Sequence, residues 1–356
     1  MKDVLAEAHG RVNLIGEHTD YNGGWVLPTS IPQKTEVRLS LREDQEVHAR
    51  SSQQDGHRTR ERTYILGREA PTHSWVDYIQ GVTKILAEKA PLPSGFNLSV
   101  NSTVPIGSGL SSSAALEMSV LKALREMFSL PLSDLDLALI GRRAENDFVG
   151  AKVGIMDQMA CMLAQSGEAL FLDTKTLFYE RIPLPKEHVS LVVIYSGLVH
   201  QHAGGDYNQR RQECEEVCRL LGVAELRELE VKDLPRLDPL PEKLKRRARH
   251  VITENQRVHQ AAAALRGKDM KRLGQLFYES HESMARDFEI SIPQIDLLVD
   301  LLRQQPEVYG ARLTGGGFGG SIVAVVRPGG GAEVAERVVQ EYNRQTKLTA
   351  TILVKE

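Results

Sequence analysis

The chain reads as an α+β protein of two domains. Its 356 residues are more than one hydrophobic core ordinarily organises. Strand-like and helix-like stretches are mixed in both halves instead of alternating as a regular βαβ series. Three glycine- and serine-rich blocks, at residues 10–24, 105–117 and 311–320, punctuate these stretches. The first block sets Arg11, Asn13, Glu17, His18, Asp20 and Asn22 within one short apolar frame. Each buried polar group without a partner costs several kcal/mol, so a segment that only filled a core would not carry them. That density of donors and acceptors predicts a hydroxyl-rich ligand.

Residues 12–41 alternate apolar stretches with turn signals such as Asn22, Gly23 and Gly24, and Val37, Leu39 and Leu41 keep the period of two of a half-buried strand. Residues 43–62 are polar without useful periodicity and read as a hairpin tip or loop with flanking strand ends. Trp75, Ile79, Val82 and Leu86 mark an amphipathic helix. Phe96, Leu98 and Val100 share one face of a strand over 95–104 that runs into the second block. Past that block Leu116, Val120, Leu124 and Met127 recur at helical spacing, so the segment is a strand, a glycine loop and a helix start. Helices follow over 134–148 and 154–164, with Asp157 in the first turn of the latter. The apolar run 191–195 predicts a buried strand, and the domain change is placed near residue 185, giving domains 1–185 and 186–356. Residues 207–221, 243–266 and 270–286 are helical by pattern, with a proline-rich linker at 234–241, and the third block leads into an apolar strand over 321–326.

Hydrophobic content of 41%, charged content of 26% and a net charge of -3 are ordinary for a soluble globular protein and give no basic field for nucleic acid. No run approaches the roughly 18 apolar residues of a membrane span, and the start lacks the apolar stretch of a signal peptide. A cytoplasmic protein without a membrane partner is expected. Cys161, Cys214 and Cys218 are too few and too unevenly placed for a disulfide framework, so reduced thiols are expected. His200 and His202 ahead of Cys214 and Cys218 outline a zinc set on paper, but cysteines four apart on one helical face suit plain packing.

A helix N-terminus has unpaired amides and a partial positive charge, and glycines ahead of it let a phosphate reach the backbone. Gly107, Gly109 and Ser111 to Ser113 fit that description, and serine hydroxyls suit phosphate oxygens or a magnesium ion. The loop has no lysine, which excludes the Walker pattern. Gly315, Gly317 and Gly320 satisfy the dinucleotide spacing but open a strand where that fingerprint opens a helix, so a Rossmann site is not expected.

The three blocks, in this order and spacing, resemble the motifs of the GHMP small-molecule kinases, and the first block resembles the galactokinases among them. The likeness extends through residues 75–82, 154–158 and 207–211, nearly the whole chain. It implies a two-lobed fold, with an N-terminal lobe like ribosomal protein S5, a ferredoxin-like C-terminal lobe and the active site between them. It also implies an ATP- and magnesium-dependent kinase that phosphorylates the anomeric hydroxyl of galactose to give α-D-galactose 1-phosphate, the first step of galactose metabolism. By position, Asp157 matches the base and Arg11 the cation that stabilises charge on the γ-phosphate. Glu17, His18, Asp20, Gly154 and Tyr207 match sugar-binding positions. Gly107, Ser108, Gly109, Leu110, Ser111, Ser112 and Ser113 match the ATP loop, Trp75 the aromatic near adenine, and Ser113 with Glu145 the magnesium positions, Ser112 being the alternative serine. A monomer is expected.

The chain departs from the family pattern in two places. His9 stands where the family has a proline, and residues 196–202 hold Gly197 where an asparagine is common and Val199 where a basic residue is common. The second departure bears on sugar choice. Kinases of N-acetylgalactosamine, arabinose or galacturonate are the neighbouring readings, and a non-catalytic galactose and ATP sensor is a further one. Such sensors lack two residues of the serine block that this chain keeps whole.

Overall fold

The computed structural model describes residues 3–52, 60–198 and 203–355. Contacts group the chain into two compact units that interleave along the sequence: Met1–Arg11, Ile31–Ile106 and Ser111–Leu163 form the first, and Val12–Ser30, Gly107–Leu110 and Ala164–Glu356 the second. Residues 164–185, placed with the first half on sequence grounds, therefore make their contacts in the second unit.

In the first unit β1 (Asp3–Asn13) pairs with β3 (Pro28–Leu41), which enters from the second unit, where β2 (Trp25–Val26) precedes it. The far end of β3 pairs antiparallel with β6 (Phe96–Ser102), which pairs parallel with β4 (Glu46–Ser51), and β4 forms a hairpin with β5 (Arg60–Ile65). Val37 and Leu39 face the core as their period requires. The polar composition of 43–62 had concealed β4, because its inward side chains, Val47, Ala49 and Ser51, are mostly small. β1 likewise begins well before residue 12, its buried positions Val4, Ala8 and Gly10 again being small.

Four helices complete this unit: α1 (Val76–Ala87), α2 (Ser112–Phe128), α3 (Asp134–Arg143) and α4 (Met156–Leu163). Ser133 caps α3 through a reciprocal capping box with Asp136. α3 then widens into a π-helical turn, Ala144–Val149, which carries Glu145. Such turns are rare and frequent at functional sites.

The second unit holds β7 (Glu168–Asp173), which pairs with β2 and with β8 (Tyr179–Pro183). It also holds β9 (Ser190–Tyr195), α5 (Ala203–Leu221), α6 (Glu242–Arg266), α7 (Met270–Arg286), α8 (Pro293–Arg303), β10 (Val308–Thr314), β11 (Ser321–Val326), α9 (Gly331–Thr346) and β12 (Thr351–Lys355). β10, β11, β9 and β12 lie side by side in that order, all antiparallel. All six residues of β11 are buried, so both faces of this strand are covered and its sequence is apolar without alternation. The expected proline-rich linker is in large part a 3₁₀ turn, Val231–Leu237. Cys214 and Cys218 are free and buried in the core of this unit, while His200 and His202 lie outside the described residues.

α7 meets β10 backbone to backbone. A Cβ on Gly274 would run into the Tyr309 carbonyl, and one on Gly310 into the Gly274 carbonyl. Gly310→Ala should therefore lower stability by roughly 1–3 kcal/mol or more. Urea unfolding reads this as a lower midpoint at unchanged slope, and an unchanged midpoint would show that the contact relaxes at no cost.

Candidate active site

The polar residues of the first block divide between two settings. In the second unit Glu17 is 1% exposed. Its Oε1 accepts from Thr314 Oγ1 at 3.2 Å and the Gly315 amide at 2.9 Å, and its Oε2 from Asn13 Nδ2 at 3.0 Å and from Arg312 Nη2. A carboxylate offers about four acceptor positions, and these bonds fill them. Burial raises the Glu17 pKa, and the Arg312 guanidinium opposes that shift. Arg312, wholly buried, also donates to the carbonyls of Asn13 at 3.2 Å and Leu14 at 2.9 Å and to Ser280 Oγ at 3.1 Å. Glu254 accepts from the Gly16 amide at 3.0 Å, Ser280 Oγ at 2.6 Å and Arg257 Nε at 2.6 Å. Burial alone would raise its pKa, but Arg257 and Arg312 bring it down to about 2.

His18 sits at φ 62, in the left-handed region. Its Nε2 lies 3.3 Å from the Gly316 carbonyl, which only accepts, so Nε2 carries the ring proton and Nδ1 accepts from the Tyr21 hydroxyl at 2.8 Å. Burial first, and His250 next, lower its pKa to about 3, so the ring is neutral. It packs 5.1 Å from the ring of Tyr207 and 4.8 Å from that of Phe288. Asn22 donates to the His18 carbonyl at 2.8 Å, and Asp20 opens the 3₁₀ turn Asp20–Asn22 half-buried. Much of the polarity taken from sequence as a ligand signal thus has protein partners, several of them more than 200 residues away.

Arg11 belongs to the first unit. Its Nε and Nη2 donate to Oδ1 of Asp157 at 2.9 and 2.7 Å, while the Asp157 side chain stays 25% exposed. Beside this pair Gln158 Nε2 donates to Glu145 Oε2 at 2.8 Å and Glu117 Oε2 at 3.2 Å. Burial and the Asp157 charge raise the Glu145 carboxyl to about 7, and a bond from the Ser113 side chain acts against that. Burial and Glu145 push Glu117 well above the usual carboxylate range. Asp157, Glu145 and Glu117 thus act on one another as like charges, and Arg11 pairs with the first of them. Glu117 Oε1, Gln158 Oε1 and Ser111 Oγ are buried with no hydrogen-bond partner among the described residues.

The second block crosses between units after Leu110. In the second unit Gly107 and Gly109 have φ of 73 and 78, and Ser108 and Leu110 are buried. A Cβ on Gly315 would stand 3.1 Å from the Gly109 carbonyl oxygen, and Ser321 Oγ donates to the Ser108 carbonyl at 2.7 Å. Close backbone approach of the two loops is what their glycines allow. In the first unit Ser111, at φ 61, precedes α2 without a side-chain cap, leaving the first amides of that helix to other acceptors. Ser112 and Ser113 are half-buried in that first turn. The third block joins β10 to β11 and opens no helix, as expected.

Gly154 is buried ahead of α4, Tyr207 is half-buried in α5, and Trp75, just before α1, is half-buried and not part of the core. Gly197 has φ 81, and a Cβ there would lie 2.6 Å from the Thr349 carbonyl oxygen. Sequence reasoning missed Arg312, Glu254 and Gln158. A lone arginine before Leu313 and Thr314 carries no local sign that it is buried, whereas Gln158 beside Asp157 was signalled by the motif around it.

Family models for the GHMP kinases N terminal domain, the GHMP kinases C terminal domain and the galactokinase galactose-binding signature match residues 77–165, 261–345 and 1–40. This is the class that the glycine loops and the two units define. The galactokinase of Haemophilus influenzae (strain PittEE) is 41% identical over 99% of this chain and 93% of its own length, and that of Thermotoga neapolitana 40% identical over 98% and 96%. The structure of Lactococcus lactis galactokinase complexed with galactose matches with a TM-score of 0.93 and 31% identity, covering 100% of this chain and 93% of that one. The chain belongs to the galactokinase family. No helix among the described residues is long and apolar enough to cross a membrane.

His250 is buried, with Nε2 donating to the Glu17 carbonyl at 3.1 Å and Nδ1 2.9 Å from Ser283 Oγ. Burial lowers its pKa to about 4. A depressed histidine contributes stability above its unfolded pKa of about 6.5, and that contribution is lost as pH falls from there through 4. Glu145, raised to about 7, works the other way over part of this window, so the histidine is read as a difference. His250→Gln should flatten the acid-side fall of stability by up to about 1.4 kcal/mol per pH unit. Thermal melts of both proteins between pH 7 and 4.5 measure it, and parallel curves would refute the assignment.

Proposed function

We propose that the chain transfers the γ-phosphoryl group of ATP to the anomeric hydroxyl of galactose, with Asp157 as base and Arg11 as its partner. The observation that carries the chemistry is the Arg11–Asp157 pair: both bonds fall on Oδ1, leaving Oδ2 of a partly exposed carboxylate for a substrate proton. The hydroxyl oxygen at C1 forms its bond to the γ-phosphorus as the bond to the β,γ-bridging oxygen breaks. Its proton passes to Asp157, and ADP leaves. Arg11 offsets negative charge on the phosphoryl group in flight.

The galactose complex of the Lactococcus lactis relative supports the sugar assignment. On this reading Asp20 and Tyr207 meet sugar hydroxyls directly, and the Gly154 backbone adds a contact. Glu17 and His18, engaged by protein donors and acceptors, belong to the sugar site by fixing the turn that presents Asp20. ATP phosphates lie on Gly107, Ser108, Gly109, Leu110, Ser111, Ser112 and Ser113, with adenine near Trp75. Ser113 and Glu145 would hold magnesium. The excess of carboxyls over cations and the unpartnered Ser111 Oγ and Glu117 Oε1 fit a bound cation with its phosphates. Magnesium, when bound, supplies charge neutralisation at the β- and γ-phosphates. The matched N- and C-terminal models fit a division into domains 1–185 and 186–356 as far as a change somewhere between residues 165 and 261, while the contacts of residues 164–185 lie with the second unit. Three free buried cysteines favour the cytoplasm.

A coupled ADP-release assay over galactose, N-acetylgalactosamine, arabinose and galacturonate tests the reading, with galactose expected to give the highest kcat/KM. Turnover of another sugar with none of galactose would overturn the sugar and leave the kinase. Asp157→Asn should lower kcat by roughly 10²–10⁴ while galactose still binds, as calorimetry would show. Arg11→Ala should cost at least about tenfold in kcat, a loss of about 1.4 kcal/mol or more, and an unchanged kcat removes Arg11 from the reaction.

A further inference from the structure

Gln158 directly follows Asp157, yet the two side chains part at the start of α4. Asp157 is partly exposed, whereas Gln158 is wholly buried. Successive helical residues point about 100° apart, so one turn serves two directions. A buried side-chain amide needs partners for two N–H groups and a carbonyl oxygen. Gln158 Nε2 donates to Glu145 Oε2 at 2.8 Å and to Glu117 Oε2 at 3.2 Å, while Oε1 has no hydrogen-bond partner among the described residues. Turning the amide over would set its carbonyl oxygen against two carboxyls, so the two acceptors fix its orientation.

Three elements of the first unit meet at this amide. Glu117 comes from α2, one turn after Ser113, Glu145 from the π-helical turn, and Gln158 from α4. α3 closes in through Gly141, where a Cβ would stand 3.3 Å from Gln158 Cγ and 3.3 Å from Glu117 Oε2. Glycine weakens a helix interior relative to alanine, and here it makes room for these two side chains. The Glu145 carboxyl is held from two sides, by the Ser113 side chain of α2 and by the Gln158 amide of α4. The shared amide also sets the spacing of two carboxyls that act on one another as like charges. A lysine or arginine at 158 would neutralise Glu145, whereas a neutral amide orients the carboxylate and leaves its charge for a cation.

We propose that Gln158 is a positioning residue for the cation of phosphoryl transfer: by donating to Glu145 and Glu117 together, it sets the Glu145 carboxylate in place beside Ser113. This role rests on the reading of Ser113 and Glu145 as the magnesium positions. Groups that hydrogen-bond a ligating side chain commonly account for about 10–100-fold in metal affinity. Since Asp157 and Gln158 are successive residues of α4, the helix that carries the base also holds the carboxylate of the cation.

The test is Gln158→Met, which keeps the length of the side chain and removes both donors, with manganese as the probe. Electron paramagnetic resonance reads the Mn²⁺ bound by the full chain saturated with ADP, and calorimetry reads galactose. The Mn²⁺ dissociation constant should rise about tenfold or more, while that of galactose stays within about twofold of native. Kinetics should divide in the same way, the magnesium needed for half-maximal velocity rising about tenfold or more at an unmoved galactose KM. Gln158→Asn, whose amide is one methylene short of both carboxyls, should act in the same direction and decides if Gln158→Met does not fold. Native Mn²⁺ affinity in the variants overturns the proposal. So does a fall of Mn²⁺ and galactose affinity by the same factor, the mark of a residue that only supports the fold. A native chain that takes up no Mn²⁺ with ADP overturns the magnesium reading as well, so the native titration tells the two failures apart.

Discussion

The guanidinium of Arg312 is the constraint on which the turn carrying His18 and Asp20 depends. It is wholly buried and joins Glu17, two carbonyls of the first block and Ser280, with Glu254 completing the set. A buried charge without its partner costs roughly 3–5 kcal/mol, so no member of such a set can be lost alone at small cost. The consequence is geometric. Residues 13–17, the end of β10 and Gly315 of the third block are held to one another, and His18 inherits its place against Gly316 and Tyr207.

The two units handle polarity in opposite ways. Around Arg312 each oxygen of Glu17 has donors, and the one gap lies at the edge of the network, where Arg257 Nη2 is buried without a partner among the described residues. Around Asp157 carboxyls outnumber Arg11, Glu145 and Glu117 are raised, and buried oxygens on Ser111, Glu117 and Gln158 go unpartnered. A closed network holds shape. An open one is completed by charge and hydrogen-bond donors brought from outside, which is what nucleotide phosphates with a cation supply.

The legible parts of the sequence were those whose signal is local. Glycines ahead of a serine-started helix, the period of two at Val37 and Leu39, and Asp157 in the first turn of α4 each follow from neighbouring residues. β4 was not legible, because its inward positions are mostly small. The partners of Glu17 were not legible either, since Arg312 is 295 residues away and nothing near it marks it as buried. The inference that polar density means ligand was therefore too broad. It holds best for Asp20 and Arg11, while Asn13, Glu17, His18 and Asn22 are polar largely because distant groups complete them.

The departure at Gly197 can be read in the same physical terms. Its φ of 81 is a region that glycine enters freely and asparagine tolerates better than other side chains. Glycine where relatives commonly have asparagine therefore keeps the turn after β9. What it removes is one side-chain amide, with its donor and acceptor. In this structure a Cβ at 197 would also stand 2.6 Å from the Thr349 carbonyl oxygen, so glycine is what lets that carbonyl approach the turn, and an asparagine there requires the two segments to move apart. The proposed phosphoryl-transfer pair, Asp157 and Arg11, belongs to the first unit, whereas Gly197 and Thr349 both belong to the second, so this packing difference lies among other residues.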